Sequence, residues 1–509
     1  MMRCDKCPSP AHCSDVLSDS ASDRLGMDNS KLVKNISHSF FDKTNIYVKK
    51  VTSLEREIAS IETVMAQFAQ RRVFLRRKMN GLSPTARIPS DILIKIFQIA
   101  CQPVYKNNFR SRQAVTPLFI GSICKLWRDV AWSTPLVWDT IFLHISRKHH
   151  GTQVQLLRDW LLNARSALLS IKLTAEDEHE SVLCAFEEIL GILVTRSDYW
   201  LTFDSRIPPP QCPNIFKNIN FPMLTSVSLR NPASTPNIPD MFLTSPKLVD
   251  ITLLRYNFPV VLPWEQVRRF RTARSTVTEC LKVLRQSPNL QECRFEYVYA
   301  PDSLISIMPH VQLKHLHVGL KDSETSMSLL DSITLPSLSE LRIQYNGSKR
   351  LLLSSITSLV LRSACNLERF TMGIRFDYAD LVPCLEAIPS LTFLHLEMLI
   401  GPDRGLTRLV ASLDPLSNSS RLLLPNLKYF KYRGPVLCDC RTIVDMLAHR
   451  WHLSDDVETS RNISTRVSKL QQAEILSTFA YHVTTDVQEE LRNLSEEGMV
   501  VRIESHAGN

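Results

Sequence analysis

From residue 47 onward large apolar residues fall at Val51, Leu54, Ile58, Ile61, Met65 and Phe68, spaced 3, 4, 3, 4, 3, and Leu75, Met79 and Leu82 continue the register. Arg72 alone breaks it, and Gly81 is the first helix breaker. A 3.5-residue period held over about five heptads predicts a helix over 45–82, either pairing as a coiled coil or packing its seam on its own chain. The basic cluster Arg71, Arg72, Arg76, Arg77 and Lys78 reads as a solvated flank. Upstream, 1–44 combines Ser and Asp clusters with few large apolar residues and is expected to be a disordered tail.

Past Gly81 the pattern shortens. Ser83-Pro84 marks a turn, followed by Ile88-Pro89-Ser90-Asp91-Ile92-Leu93-Ile94-Lys95-Ile96-Phe97, with Pro89 suited to the first helical position. Ile92, Leu93, Ile96 and Phe97 fall on one side of that helix. A polar loop, 102–114, leads to Pro117-Leu118-Phe119-Ile120, then Ile123-Cys124-Lys125-Leu126-Trp127-Arg128, Ala131 and Trp138. Segment 83–146 therefore reads as a small all-α bundle. It carries more large apolar side chains than so small a body can bury, so part of its surface should meet a partner.

Beyond residue 155 a phrase of the form Pro-x-Leu-x-x-Leu-x-Leu recurs, at Pro222, Pro246, Pro288, Pro336, Pro389 and Pro425, with degenerate copies at Val267, Leu313 and Leu367. The anchors are Leu224, Leu248, Val267, Leu290, Leu313, Leu338, Leu367, Leu391 and Leu427, at intervals of 24, 19, 23, 23, 25, 29, 24 and 36 residues. Most of these intervals fall within the roughly 20–29 residues of leucine-rich repeats. The longest leaves room for an inserted loop at 416–420. The alternation after each anchor suits a strand with one buried face. Val277, Cys280, Leu281 and Leu284 show helical spacing between strands. The asparagine that usually follows the strand is mostly missing, so the array is expected to be irregular. The competing reading is an α/β domain whose leucines recur by chance. A helix over 159–167, a strand over 168–173, a first divergent strand over 199–203, a helix over 486–495 and a final strand over 499–503 should flank or cap the array.

Side chains between the buried leucines project from the opposite face of such a sheet, the usual ligand surface. They are Arg269, Arg271, Glu292, Arg294, Glu296, His315, His317, Glu340, Arg342, Arg369, His395, Glu397, Tyr429, Lys431 and Arg433. Arginine with an aromatic amid mixed charge suits protein recognition.

Composition narrows the chemistry. Thirteen glycines in 509 residues weigh against glycine-rich nucleotide loops, and neither phosphate-loop pattern occurs. No Gly-x-Ser-x-Gly elbow is present, and His179-Glu180 lacks the second histidine of a zinc protease. Cys4, Cys7 and Cys13 with His12 offer zinc-type ligands without a second knuckle, so neither metal nor cofactor is expected. The net charge of +9 is modest for this length, and the basic cluster Arg268, Arg269, Arg271, Arg274 has no interleaved aromatics, so nucleic-acid binding is not expected. With no apolar stretch long enough for a signal or a membrane span and thirteen cysteines without pairing logic, the expected setting is intracellular, cytoplasmic and/or nuclear.

Taken together, Ile88-Pro89 through Phe97, the Ile123-Cys124-x-x-Trp127-Arg128 run, Ala131 and Trp138 resemble the F-box motif. With a heptad helix before the box and a Leu82-Ser83-Pro84 turn, the chain looks like a member of a large fungal-type F-box family. Asp91 stands where that motif usually has Glu, and the first interhelical loop is longer than the minimum. The resemblance implies a docking surface for the Skp-type adaptor of SCF ubiquitin ligases, and through it a cullin scaffold. Pro89, Ile92, Leu93, Ile96 and Phe97 would face the adaptor, with Ile123, Cys124 and Trp127 joining or supporting them. The expected architecture is a mainly α/β repeat, a leucine-rich-repeat-like solenoid over 155–509, preceded by an all-α F-box bundle and an amphipathic or coiled-coil helix. The expected function is a non-catalytic substrate receptor holding an unidentified protein on Arg269, Arg271, Arg294, His315, His317, Arg342, Arg369, His395, Tyr429 and Arg433, with self-association through 47–82 in the case that this helix pairs as a coiled coil. The alternatives are an interaction scaffold without a ligase role and, more remotely, a nucleic-acid binder.

Overall fold

The computed structural model describes residues 30–102, 115–146, 148–175, 180–205, 219–230, 242–254, 261–299, 307–321, 328–345, 353–373, 378–397, 405–416, 422–456, 467–478 and 483–505. The cysteine–histidine cluster at 4–13 lies outside them. The chain divides into two compact units between Ile88 and Pro89, past the boundary expected at 82/83.

The first unit is one long helix, α1 (Ser30–Leu82), closed by a 3-10 turn at Pro84–Arg87. Residues 30–44, expected to be disordered, are helical. No proline or glycine intervenes before Gly81, and Leu32, Ile36 and Phe40 recur at every fourth position, so the helical pattern begins well before the heptads do. Every seam residue from Val51 to Phe68 is exposed.

The second unit opens with α2 (Ser90–Cys101), α3 (Pro117–Ile123) and α4 (Lys125–Ser133). Pro89 is the N-cap of α2, one position ahead of expectation, and its carbonyl accepts from the amides of Ile92 (3.1 Å) and Leu93 (3.0 Å). Thr116 caps α3 by accepting from the Phe119 amide, with a proline just inside the helix. Leu93, Phe97, Ile120, Val130 and Ala131 make the core. Gly121 is needed because the Trp132 ring lies where a Cβ would stand.

Three tryptophans join this bundle to the next helix, α5 (His150–Ala164). Trp138, fully buried, packs edge-on against Trp132 of α4 and against Trp160 of α5, with ring centroids 5.0 and 4.9 Å away. Its indole N–H donates to the Ala131 carbonyl, and the Trp160 N–H donates to the Trp138 carbonyl, each at 2.8 Å.

The rest is one open parallel sheet. Its strands are β1 (Thr140–Ile145), β2 (Leu169–Ala175), β3 (Trp200–Ser205), β4 (Ser226–Arg230), β5 (Asp250–Leu254), β6 (Arg269–Ala273) and β7 (Glu292–Val298), followed after the two-residue β8 (Met308–Pro309) by β9 (His315–Leu320). After the equally short β10 (Ile333–Thr334) come β11 (Glu340–Tyr345), β12 (Arg369–Gly373), β13 (Phe393–Glu397), β14 (Tyr429–Gly434), β15 (Gln472–Ser477) and β16 (Val500–Ser505). Fourteen of these lie side by side in chain order, while β8 and β10 pair only with each other. The sheet starts at β1, inside the segment assigned to the bundle and before residue 155, and the strand at Trp200 is the third of the sheet, not a first one.

Each of the nine anchors predicted from the leucine phrase is buried and sits two residues before a strand. The proline has a local reason. In Leu248→Ser245, Leu290→Ser287, Leu338→Leu335, Leu391→Ile388 and Leu427→Leu424 the anchor amide donates to the carbonyl three residues back, and proline fixes the second residue of that turn. The residue after each anchor then accepts two bonds from the residues that lead into the neighbouring strand, as when Gln291 and Glu292 both donate to the Arg268 carbonyl (2.8 and 3.0 Å). The same fork recurs from Thr225 to Lys428. Behind it runs a buried ladder in register, Val227, Ile251, Phe270, Cys293, Leu316, Leu341, Phe370, Leu394 and Phe430.

At the far end Arg450, on the helix Cys440–Asp456, is fully buried. Its guanidinium donates to the carbonyls of Leu413 (2.7 Å), Leu424 (3.0 Å) and Leu423 (2.6 Å), bracing both ends of the expected insertion. Burial brings its pKa down to about 10.

Candidate functional site

Two surfaces gather the residues singled out from the sequence. On the bundle, α2 has two faces. Leu93 and Phe97, expected to face a partner, are instead 1% exposed and hold the helix to α3 and α4; the Phe97 ring packs 5.1 Å from that of Trp127. The helix turns about 100° per residue, so their neighbours Ile92 and Ile96 point outward, with Ile99 one turn on. Pro89 is exposed at the start of that stripe. Ile123 is also exposed. Cys124 and Trp127, expected to support or join the docking surface, are half-buried, and Cys124 caps α4 by accepting the Trp127 amide at 3.4 Å. Leu118, Phe119, Leu126 and Leu136, not singled out from the sequence, add exposed apolar surface to the same small bundle. The short helices α3 and α4 and the 3-10 turn Pro135–Val137 that carry them span too few turns for periodicity to separate inside from outside.

On the sheet, alternation turns the polar residues away from the buried ladder, and parallel register stacks them into rows. The first row runs Asp250, Arg269, Glu292, His315, Glu340, Arg369, Phe393 and Tyr429. Acids alternate with arginines and a histidine along it and meet them: Arg269 lies 3.1 Å from Asp250, and both His315 (3.4 Å) and Arg369 (3.5 Å) lie against Glu340. The Arg369 guanidinium also lies 4.0 Å from the centre of the Phe393 ring, which in turn meets Tyr429.

The second row runs Thr252, Arg271, Arg294, His317, Arg342, Thr371, His395, Lys431, Glu474 and Arg502. Arg271 and Arg294 share Glu296, at 2.8 and 2.6 Å. His395 sits 3.3 Å from Glu397, and Lys431 2.7 Å from Glu474. His317 faces Gln344 at 3.4 Å; burial first, then Arg294 and Arg342, push its pKa down to about 4, so it is neutral near pH 7. Arg294 is held below the usual arginine range by burial and by Arg271. Among the described residues Arg342 and Arg433 make no ion pair.

The ten side chains proposed for target contact thus lie on one face, in two rows and at the edge of a third. Asp250, Gln344, Phe393, Glu474 and Arg502 belong with them and were not singled out. Glu474 was missed because the anchor of β15, Leu470, is buried but carries no proline, and the helix Cys440–Asp456 stretches the interval. Among the described residues no cluster of His, Cys, Asp or Glu could hold a metal, and no helix is long and apolar enough to cross a membrane.

No protein-family model and no curated protein matches the chain.

Proposed function

We propose that the chain is the substrate-receptor subunit of an SCF-type ubiquitin ligase, an F-box bundle carrying a leucine-rich-repeat-like array. The observation that supports this most is the exposed stripe Ile92, Ile96 and Ile99 on a bundle whose core is already filled by Leu93 and Phe97. Water-exposed isoleucines one turn apart gain about 25 cal/mol per Å² when a partner covers them, and a Skp-type adaptor is the partner that the motif implies. The sheet's polar face supports the second half of the reading, since rows of arginine, histidine and aromatic residues suit a protein target. The receptor has no reacting group of its own: it raises the effective concentration of a target lysine near the charged conjugating enzyme. A scaffold that binds both partners without ubiquitin transfer is the alternative.

The test is a pull-down of a Skp-type adaptor with the intact chain and with an Ile92→Asp, Ile96→Asp variant. Both positions are exposed, so the variant should melt as the parent does while losing adaptor binding at least tenfold. A well-folded parent that ignores the adaptor sinks the receptor reading and leaves the scaffold. Leu93 is unsuitable as a probe, because a charge there breaks the bundle itself.

A further inference from the structure

The apolar seam of α1 is bare from Val51 to Leu82, with Phe68 71% and Leu82 80% exposed. Most helical stability comes from packing an apolar face, so a 53-residue helix carrying such a stripe calls for a second helix.

The charges beside the seam decide which helix and in which direction. With Val51 and Leu54 as the two core positions of a heptad, Glu55, Glu62, Ala69 and Arg76 line one flank of the seam. Glu57, Val64, Arg71 and Lys78 line the other. Acids occupy the first half and bases the second, and no acid occurs from 63 to 82. None of Glu55, Glu57, Arg76 and Lys78 has an opposite charge three or four residues away, so the helix cannot satisfy them within itself.

A second copy laid parallel brings Glu57 against Glu62 and Arg71 against Arg76. It also stacks Arg72, the one charged residue in the seam, on its twin. An antiparallel copy, set with Met65 on Phe68 of the second copy, matches the whole seam. Val51 then meets Leu82, Leu54 meets Met79 and Ile58 meets Leu75. Arg72 falls opposite Ile61, about 16 Å along the axis from its twin and beyond the screening length of about 8 Å at physiological salt. Glu55 lies beside Arg76 and Glu57 beside Lys78, each pair occurring twice by symmetry.

We propose that α1 pairs with α1 of a second copy as an antiparallel coiled coil over 51–82. This direction and register are what heptad periodicity leaves open. The overlap is about 47 Å long, and the two chains leave it at opposite ends. The pairing involves neither adaptor nor target, so it stands or falls apart from the receptor reading.

The experiment is sedimentation velocity of the full chain across micromolar concentrations at low salt, with circular dichroism on every variant. The parent should dimerise. Glu57→Lys with Arg76→Glu leaves the net charge and the seam untouched, but sets like charges together at all four antiparallel contacts. Its dimer should dissociate at least about tenfold more readily. Adding Glu55→Arg and Lys78→Glu to the same chain re-forms every pair with signs reversed and should restore the parental constant. In a parallel pair the first variant relieves both repulsions, so a tighter dimer overturns the antiparallel assignment. A parent that stays monomeric overturns the pairing altogether. A dimer indifferent to the swaps, or one that survives Ile58→Ser, Ile61→Ser and Met65→Ser, uses another surface and overturns it equally.

Discussion

The bundle and the sheet show the solvent opposite chemistry. The bundle fills a small core and still leaves Ile92, Ile96, Ile99, Phe119 and Ile123 outside, because a body of so few residues has too much surface for its apolar content. The sheet buries every second residue of strand after strand and turns arginines, histidines and acids outward, where they already pair with one another. A partner for the bundle gains by covering what has no partner. A partner for the sheet must displace or complete what is there. Affinity at the bundle should therefore follow apolar area and resist salt, whereas affinity on the sheet should depend on charge geometry and weaken as salt screens it.

The sharpest way to break this contrast is to exchange inside and outside on α2. Phe97→Ala should cost about 3–5 kcal/mol of bundle stability, since a buried ring is lost and a cavity remains. Ile96→Ala, one residue away on the outer face, should stay within about 0.5 kcal/mol. Denaturant melts followed by tryptophan fluorescence separate the two, and equal costs would mean that the stripe is not free surface. Next in size is Arg450→Met in the array, which leaves three buried carbonyls without donors and should cost about 3 kcal/mol. Near-parental stability there would show that the brace is dispensable. The smallest effect lies on the polar face. His317 has its folded pKa lowered to about 4 by burial and by Arg294 and Arg342, below the unfolded value near 6.5. The unfolded chain binds the extra proton first, so this residue's contribution is complete above about pH 6.5 and is lost as pH falls toward 4. Melting points of the parent and of His317→Gln, compared across that window, should show a shallower pH dependence in the variant.

How much of this was legible beforehand depends on periodicity. The nine anchors were readable because each combines a turn-forming proline or its equivalent with an alternating pair of buried residues, and all nine open strands. What escaped had weaker local signatures. The first strand, at Thr140, lies in a segment read as bundle, and β15 follows a long helix with no proline before Leu470; the strand at Leu169 was legible as a strand but not as the second member of the sheet. Inside and outside on α2 were confused because Ile92 and Leu93, like Ile96 and Phe97, are adjacent apolar pairs; only the packing of α3 and α4 decides which of each pair is core. Pairing across the sheet, such as Arg271 with a glutamate 25 residues later, depends on register between strands and has no signature within a strand.

The three edge-packed tryptophans at 132, 138 and 160 have a mechanical meaning. They weld α4 to the helix after β1 through two aromatic contacts and two indole hydrogen bonds, all out of water's reach or nearly so. The outer stripe of α2 and the charged rows of the sheet thus belong to one compact unit, linked through these rings. If the proposed adaptor and target bind there, both sit on the same unit of the chain, and the span between them is set by the path from α2 through these tryptophans to the sheet.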